Sequence, residues 1–426
     1  MFDLEKSMKK INPYFFHLTH ESIFPVIEKK ISQVKSSFPE KEFLNLSIGD
    51  IIFPLASSIQ QALMASVKRL AIEPIGYGPT TGYDFLKEAI LATEYPSSGF
   101  SKEELFISDG IISDAIGLSE LFSQEAKIGI PNPTYPAYLD GNVIGGKSGF
   151  LSSSNDYTNI IYLPCTEDTR YLPKPPDTHC DFIYLCSPNN PTGLALNHSE
   201  LIKWVAYAQE HKSILLLDAA YCNFISSPDI PKSIYEIPGA KNVAIEMKSF
   251  SKSAGFTGLR CSYTVIPKQI EYLHNEHRGS LHKLWTVRQN IKSNGVSWLT
   301  QRAALAALSP EGLLETSAQV QIYQTSAKFL VEGLRNFGFN VIGGIDSPYI
   351  WWKVPNGISS WEFFDLLLER CQIIGIPGVG FGKYGEGYLR LSGFIDPMTA
   401  AKAIEMINKH LLKSFFTSSS SIDYQL

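Results

Sequence analysis

Short apolar runs that alternate with helical spacings constrain this chain more than any other feature of its sequence. Residues 200–208 read ELIKWVAYA, and their apolar side chains recur at the spacing of an amphipathic helix. This helix lies between two runs that are almost free of polar side chains. Strands that are apolar throughout and separated by helices form parallel sheets covered on both faces. The predicted strands are residues 105–108, 181–186, 213–217, 243–247 and 261–266.

The last third of the chain predicts a second, smaller α+β unit, in which amphipathic helices surround two strands. The predicted helices are residues 301–308, 318–336, 361–370 and 400–412, and the strands are 349–354 and 388–392. We therefore predict an α/β protein whose large domain has a mostly parallel sheet flanked by helices, with a smaller α+β domain built from both chain ends. The predicted division is an N-terminal arm and part of the small domain at 1–70, the large domain at 71–305, the rest of the small domain at 306–412 and a flexible serine-rich tail at 413–426.

Composition and charge exclude several classes of protein. The 426 residues are 44% hydrophobic and 19% charged, which is ordinary for a globular chain and too apolar for a disordered one. The net charge is −5 and no basic block occurs, so we expect no nucleic-acid partner. No apolar run approaches the ~20 residues that cross a bilayer, so we expect no membrane partner.

The cysteines and histidines predict neither disulfides nor a metal site. The six cysteines form no C-x-x-C pair, and the nine histidines show no zinc-binding spacing. The N-terminal sequence MFDLEKSMKK lacks the apolar segment of a secretory signal. We therefore expect reduced thiols and a cytoplasmic location.

Two glycine motifs imitate nucleotide-binding fingerprints. Residues 141–148, GNVIGGKS, fit the P-loop pattern, and Asp218 after a strand could supply its second aspartate. The prolines in 131–136 argue against an interior parallel strand before this motif, and the polar stretch 149–156 argues against a helix after it. Residues 380–385, GFGKYG, fit G-x-G-x-x-G but precede a strand, so we interpret them as a turn. A nucleotide hydrolase is kept as the alternative from a different class.

Polar motifs follow three of the predicted strands. SPNNPTG at 187–193, DAAY at 218–221 and SFSK at 249–252 each begin where a strand ends, and Gly258-Leu-Arg260 comes shortly after Lys252. Open α/β sheets bind ligands at the carboxyl ends of their parallel strands. These motifs are therefore expected to meet in one site.

The same motifs, together with NLSIGD at 45–50, PNPTYPAY at 131–138 and SFSKSAGFTGLR at 249–260, resemble the fold-type I pyridoxal-phosphate-dependent aminotransferases of classes I and II. More narrowly, the chain resembles the LL-diaminopimelate aminotransferases and their plant defence-related relatives, over about residues 10–412. The resemblance implies a homodimer with shared active sites and a place in lysine biosynthesis. It also implies a ping-pong transfer of an amino group between an amino acid and a 2-oxo acid. The first candidate donor is LL-2,6-diaminopimelate, giving tetrahydrodipicolinate, with 2-oxoglutarate as the acceptor.

The resemblance implies catalytic roles for Lys252, Asp218 and Tyr221. Lys252 would attach to the cofactor aldehyde and move protons, which requires a neutral amine favoured by burial and nearby positive charge. Asp218 would keep the pyridinium nitrogen protonated. The remaining implied cofactor contacts are Gly110, Ile111, Ile112, Tyr135, Asn190, Ser249, Ser251, Arg260 and, toward the partner subunit's phosphate, Tyr77. The implied substrate contacts are Gly49, Asn190, Asn294 and Arg390, the last of which would grip the α-carboxylate.

Two charged residues of the diaminopimelate enzymes are missing from this chain. Ile112 stands where they carry a lysine, and Thr80 stands where they carry a glutamate lent by the partner subunit. Because both positions lie near the substrate in the family, we expect selectivity to change. Lysine or another medium-length amino acid is the main alternative donor. A decarboxylase, a racemase or an oxidase on the same cofactor site, and a non-catalytic binding protein, are further alternatives.

Overall fold

The fold combines a large and a small sheet, each covered by helices. The computed structural model describes residues 11–18 and 23–412, so the predicted tail at 413–426 lies outside the described residues. The helices are α1 Ile23–Ser37, α2 Ser57–Leu70, α3 Asp84–Glu94, α4 Ile111–Ser119, α5 Ala137–Ile144, α6 His198–His211, α7 Phe250–Ser253, α8 Leu281–Lys292, α9 Trp298–Ala307, α10 Pro310–Asn336, α11 Ser360–Leu366 and α12 Pro397–Ile407. The strands are β1 Leu44–Asn45, β2 Leu105–Ser108, β3 Ile128–Asn132, β4 Ile160–Pro164, β5 Phe182–Cys186, β6 Ile214–Asp218, β7 Ala244–Ser249, β8 Ser262–Val265, β9 Glu271–His274, β10 His277–Ser280, β11 Val341–Gly343, β12 Tyr349–Lys353, β13 Ile373–Ile374, β14 Ile376–Pro377 and β15 Tyr388–Ser392.

The large sheet has seven strands in the order β2-β8-β7-β6-β5-β3-β4. Strands β4, β3, β5, β6 and β7 are parallel to one another, whereas β8 runs antiparallel to both of its neighbours. The predicted mostly parallel sheet is therefore confirmed. The predicted strand 261–266 is β8, the antiparallel member.

Both faces of this sheet are buried, which explains why its strands read as continuous apolar runs. Phe182 and Tyr184 of β5 pack into a core with α4, α5 and α8. Ile183 and Leu185 of the same strand pack into a second core with α6. Because side chains alternate between the two faces of a strand, a strand buried on one face alone would alternate apolar and polar residues. Here both faces are buried, so nearly every position is apolar.

The small sheet is antiparallel and has the order β11-β12-β15-β14. Its core contains Ile27 and Leu46 from the start of the chain together with Leu330, Ile350 and Leu391 from its last third. One apolar core therefore joins α1 to α10 and to the small sheet. The residue numbers at which the domains divide stay a prediction.

The expectation that 131–136 contributes nothing to an interior parallel strand was wrong. Pro131 belongs to β3, which lies between β5 and β4. The pairing of β3 with β5 stops at Gly129, so the N–H group that Pro131 lacks is not needed for a hydrogen bond to β5. The P-loop pattern still has the wrong context, because Gly141 lies inside α5.

Three further findings concern the described residues alone. No helix among them is both long and apolar enough to cross a bilayer. No group of His, Cys, Asp and Glu side chains in that part of the chain is arranged to hold a metal ion. All six cysteines are buried and unpaired.

Candidate active site

A cavity of about 590 Å³ opens where β5, β6 and β7 end. Cys186, Asp218 and Ser249, the last residues of these strands, all line it. The structure therefore brings most of the predicted site residues together, as expected for the carboxyl edge of a parallel sheet. The predicted residues that line the cavity are Gly49, Gly110, Ile111, Ile112, Tyr135, Asn190, Asp218, Tyr221, Ser249, Ser251, Lys252, Arg260 and Arg390.

Lys252 lies in α7, the single helical turn that directly follows β7. Ser249 caps this turn through its side chain, which fixes where the lysine leaves the backbone. Lys252 Nζ donates a hydrogen bond to the backbone oxygen of Gly49. Burial lowers the pKa of Lys252 to about 8; Asp50 opposes the shift and Arg390 adds to it. The amine is therefore far more often neutral at neutral pH than an exposed lysine.

Asp218 is a buried carboxylate at the end of β6. Its Oδ2 accepts a hydrogen bond of 2.5 Å from the Tyr138 hydroxyl, and its Oδ1 accepts one of 2.9 Å from the backbone N–H of Ala220. Burial raises the pKa of Asp218, although these hydrogen bonds oppose the shift. No basic side chain in the described ranges pairs with this carboxylate. A buried anion in this state favours a cationic partner on a ligand.

One end of the cavity suits a phosphate group. Ile111 begins α4, and the first N–H groups of a helix have no partner within it and attract anions. A Cβ atom at Gly110 would collide with Arg260 Nη2, so only glycine lets the guanidinium come this close. The hydroxyl oxygens of Ser249 and Ser251 lie 2.9 Å apart on the same cavity wall. Guanidinium, hydroxyl and backbone N–H donors together bind phosphate oxygens.

Arg390 is buried on β15 and reaches the cavity from the small sheet. Its Nη1 donates to Asn190 Oδ1 at 2.7 Å, and its Nη2 donates to the backbone oxygen of Ser47 at 2.6 Å. The guanidinium carbon lies 4.4 Å from the ring centre of Tyr349 and 4.9 Å from that of Phe381. Its Nε has no hydrogen-bond partner, and no carboxylate of the described chain pairs with it. A buried cation with donors left over is suited to a carboxylate on a ligand.

Aromatic side chains form the remaining walls. The hydroxyl oxygens of Tyr221 and Tyr349 lie 2.7 Å apart. Tyr135 stands edge-on to Tyr138, with ring centres 5.9 Å apart. Burial raises the pKa of Tyr135, and the nearby Asp218 adds to the shift. These side chains keep the walls apolar while leaving hydroxyl groups at defined points.

Tyr77 and Asn294 do not reach this cavity within one chain. Both line a separate depression on the surface, where Tyr77 is 91% exposed. Thr80 is also outside the cavity, and its hydroxyl donates to Asn290 Oδ1 at 2.6 Å. The predicted ligand contacts of Tyr77 and Asn294 therefore stay predictions, since they require a second subunit.

The sequence analysis did not assign several residues that line the cavity, among them Glu28, Ser47, Asp50, Tyr138 and Tyr349. A signal existed for Tyr138, because it follows Tyr135 by three residues and so lies on the same side of a helical turn. Asp50 directly follows Gly49 in a quoted motif. No signal pointed to Tyr349, which lies in an aromatic strand that reads as core.

The fold and the site together define a class of protein. The amine of Lys252, the unpaired carboxylate of Asp218 and the phosphate cradle beside Arg260 match the aldehyde, ring nitrogen and phosphate of pyridoxal phosphate. Arg390 provides an anchor for an amino-acid carboxylate. A mostly parallel α/β fold with this donor set is that of a pyridoxal-phosphate-dependent transferase.

Comparison with known proteins gives the family. Residues 41–407 match the sequence profile of the family Aminotransferase class I and II, and the chain belongs to this family. An LL-diaminopimelate aminotransferase of Parabacteroides distasonis is 44% identical over 95% of this chain and 100% of that protein. One from Methanosphaera stadtmanae is 42% identical over 94% of this chain and 98% of its own length.

A solved structure agrees with this membership. L,L-Diaminopimelate aminotransferase from Chlamydomonas reinhardtii superposes with a TM-score of 0.88 at 37% identity, covering 94% of this chain and 98% of that one. The protein is a pyridoxal-phosphate-dependent aminotransferase.

Proposed function

We propose that this enzyme moves an amino group from LL-2,6-diaminopimelate to 2-oxoglutarate. The observation that carries the proposal is the full-length similarity to LL-diaminopimelate aminotransferases together with a cavity that has a carboxylate anchor at Arg390. The distal end of this donor carries a second ammonium group. Glu28 of α1 and Asp50 both line the cavity and provide negative charge for such a group.

The proposed chemistry follows from the contacts of each side chain. Pyridoxal phosphate supplies an electron sink for the bonds at the substrate α-carbon. Lys252 Nζ, which is neutral in part because of burial, removes the proton from that carbon. Asp218 holds a proton on the ring nitrogen by its charge. Arg390 fixes the α-carboxylate and so decides which bond at the α-carbon is aligned for cleavage.

A second donor class is favoured by Ile112. This side chain lines the cavity and presents an alkyl group where the diaminopimelate enzymes carry a lysine. A cavity with one positive charge fewer has less attraction for the distal carboxylate of diaminopimelate. Lysine has a distal ammonium group and no distal carboxylate, and so it is the second candidate donor.

A donor screen with 2-oxoglutarate tests both candidates. We expect glutamate to form in step with the consumption of LL-diaminopimelate, with lysine slower by at least tenfold in kcat/KM. The reverse preference would make the chain a lysine-directed aminotransferase. Release of carbon dioxide, loss of chirality or consumption of oxygen without glutamate formation would instead indicate a decarboxylase, a racemase or an oxidase. Lys252→Ala should abolish turnover, whereas Lys203→Ala, on the exposed face of α6, should not change it.

We also propose a homodimer in the cytoplasm. Tyr77 is 91% exposed, and nearby apolar side chains of α2 are exposed as well, including Met64 at 61% and Val67 at 55%. Arg69 of α2 packs over the ring of Trp298, which lines the same depression as Tyr77 and Asn294, so the end of α2 adjoins this depression, and we take the two together as the contact face. A second subunit on this face would bury the apolar side chains and place Tyr77 beside its phosphate cradle. The six unpaired cysteines agree with a reducing compartment.

Sedimentation velocity at micromolar concentration tests the dimer. Wild type should sediment at twice the mass of one chain, and Val67→Arg should shift it toward the monomer because a charge would be buried at the contact. A monomeric wild type that retains full activity would contradict shared active sites.

A further inference from the structure

Two buried tyrosines at the cavity share one hydrogen bond. The hydroxyl oxygens of Tyr221 and Tyr349 lie 2.7 Å apart, and neither makes another hydrogen bond within the described residues. A phenolic hydroxyl has one proton to donate and can also accept. Of the two hydroxyl protons, one therefore forms the hydrogen bond between the two oxygens, and the other can be donated to a ligand in the cavity.

The position of the Tyr349 hydroxyl is set by its surroundings. A Cβ atom at Gly49 would collide with this oxygen, so the glycine leaves room for it. The ring packs against Phe394, with centres 6.2 Å apart and planes at 74°. The backbone of Tyr349 pairs with Ser392 in the small sheet. The hydroxyl group is thus held against the cavity wall from three directions.

The ring of Tyr349 makes a second contact that involves the site. The guanidinium carbon of Arg390 lies 4.4 Å from the ring centre. At this distance the face of the ring attracts the cation and limits its movement. Tyr349 therefore touches two side chains that the reaction requires and connects them across the cavity wall.

We infer that Tyr349 is a positioning residue with two separable actions. Its hydroxyl donates a hydrogen bond to the oxygen of Tyr221, so that the hydroxyl proton of Tyr221 points into the cavity and can donate a hydrogen bond to the phenolic oxygen of the cofactor. Its ring orients Arg390 for the substrate carboxylate. The inference rests on the roles proposed above for Tyr221 and Arg390.

The direction of donation follows from the acceptors present. The phenolic oxygen of pyridoxal phosphate, when it is an anion, can only accept, so Tyr221 donates to it and its own oxygen is left to accept from Tyr349. Hydrogen bonds in a chain strengthen one another by about 10–30%. The second bond therefore makes Tyr221 a better donor and stabilises the anionic form of the phenolic oxygen.

The experiment measures the cofactor colour and carboxylate binding in the purified holoenzyme. Four variants are compared: Tyr349→Phe removes only the hydroxyl, Tyr349→Leu also removes the ring, Tyr221→Phe is the reference, and Tyr323→Phe is the matched control. Tyr323 belongs to the same aromatic cluster, and its hydroxyl accepts from the backbone N–H of Ile52 rather than from a site residue. The first readout is the pH at which the absorbance of the bound cofactor has changed by half, called the pH midpoint. The second is the Kd for pimelate, a dicarboxylate without amino groups.

We expect Tyr349→Phe to raise the pH midpoint by about 0.2–0.6 pH unit, a fraction of the shift in Tyr221→Phe, because only the cooperative part of the bond is lost. Its Kd for pimelate should stay within about twofold of wild type, whereas Tyr349→Leu should weaken binding by about 2- to 30-fold, the range of a cation–π contact. Tyr323→Phe should change neither readout.

Each other outcome has a defined meaning. If Tyr221→Phe moves the midpoint and Tyr349→Phe does not, the inference fails while the proposed role of Tyr221 stands. If Tyr221→Phe leaves the midpoint unchanged, the proposed role itself fails, and the inference with it. Equal shifts in Tyr349→Phe and Tyr323→Phe would overturn the inference, because loosened packing would then explain both. Equal pimelate affinities in the Phe and Leu variants would remove the ring from the positioning of Arg390.

Discussion

Arg390→Lys provides a quantitative test of the proposed carboxylate anchor. A guanidinium has five N–H donors. Asn190 Oδ1 and the backbone oxygen of Ser47 accept one each, and three remain, including the unpartnered Nε. A lysine ammonium has three donors in all, so a lysine that kept both existing contacts would have one left. The variant retains the positive charge and loses the two-pronged geometry that a carboxylate requires.

The expected loss can be worked out from this count. One missing charge-assisted hydrogen bond costs about 1.5–3 kcal/mol, which corresponds to about a 10- to 150-fold drop in kcat/KM. The assay compares LL-diaminopimelate with 1,5-diaminopentane, the matched diamine that lacks both carboxylates, each at saturating 2-oxoglutarate. Arg390→Lys should reduce kcat/KM for the amino acid and leave that for the amine within about twofold. An equal reduction for both donors would refute the argument, because the loss would then not concern the carboxylate.

A stability measurement separates this effect from unfolding. Arg390 is 4% exposed and, in the described part of the chain, faces no carboxylate, so its charge is desolvated without a counter-ion. A buried cation without a counter-ion carries a desolvation cost that an apolar side chain does not have. We therefore expect the apoprotein of Arg390→Met to melt no lower than the wild-type apoprotein while its turnover collapses. A lower melting temperature would mean that the arginine stabilises the fold.

Three further predictions use other parts of the site and its support. Labelling of apoprotein lysines with acetic anhydride should give a midpoint near pH 8 for Lys252, since burial lowers its pKa to about 8; a midpoint near 10 would contradict this. Asp114 is buried and accepts hydrogen bonds from Ser108 and Thr264, and burial raises its pKa to about 6. The stability that the neutral carboxyl group contributes is therefore complete below about pH 4 and is lost as the pH rises through 6. Relative to Asp114→Asn, wild type should lose about 2 kcal/mol in denaturant unfolding between pH 4 and pH 7, and parallel curves would exclude titration of Asp114. Glu28→Gln should raise KM about two- to fivefold for a donor with a distal ammonium and not for alanine, the modest range of an exposed ion pair; equal changes would remove Glu28 from distal recognition.

The sequence predicted the central sheet and the catalytic edge for a physical reason. Strands buried on both faces must be apolar throughout, so β5, β6 and β7 stand out from the helices between them. Their carboxyl ends lie at one edge, and any polar motif that follows directly is delivered to the same place. This is why Asn190, Asp218 and Lys252 could be assigned to one cavity without knowledge of a single distance.

Helix ends were predicted less well than helix positions. The apolar spacing indicated a helix at 200–208, whereas α6 spans His198–His211. Its start is set by Asn197, which accepts from the backbone N–H of Glu200, and its end by Lys212, whose φ is 54°. Neither residue contributes to the apolar face, so a periodicity argument cannot locate them.

Contacts between the two sheets could not be derived from periodicity or local motifs, and only the family resemblance placed Arg390 at the site. Arg390 meets Asn190 from a position 200 residues away, and β15 alternates between core and site without a distinguishing pattern. Tyr349 lies on the neighbouring strand among buried tryptophans, so its hydroxyl cannot be told from a packing tyrosine. Which of several buried polar groups meet depends on how the small sheet sits on the large one, and no local spacing encodes that.

The distribution of charge explains why this cavity requires ligands of one kind. Asp218 is satisfied by hydroxyl and amide donors, and Arg390 by carbonyl oxygens and aromatic rings, so neither neutralises the other although both are buried at the same cavity. If the two were paired, each would lose its attraction for a ligand charge. Kept apart, they leave one place for a cation and one for an anion, which an amino-acid carboxylate and a protonated ring nitrogen fill together. A ligand that supplies only one of these charges leaves the other protein charge buried without a counter-ion. The free-energy cost of that buried charge favours a cofactor and a substrate that together supply both charges.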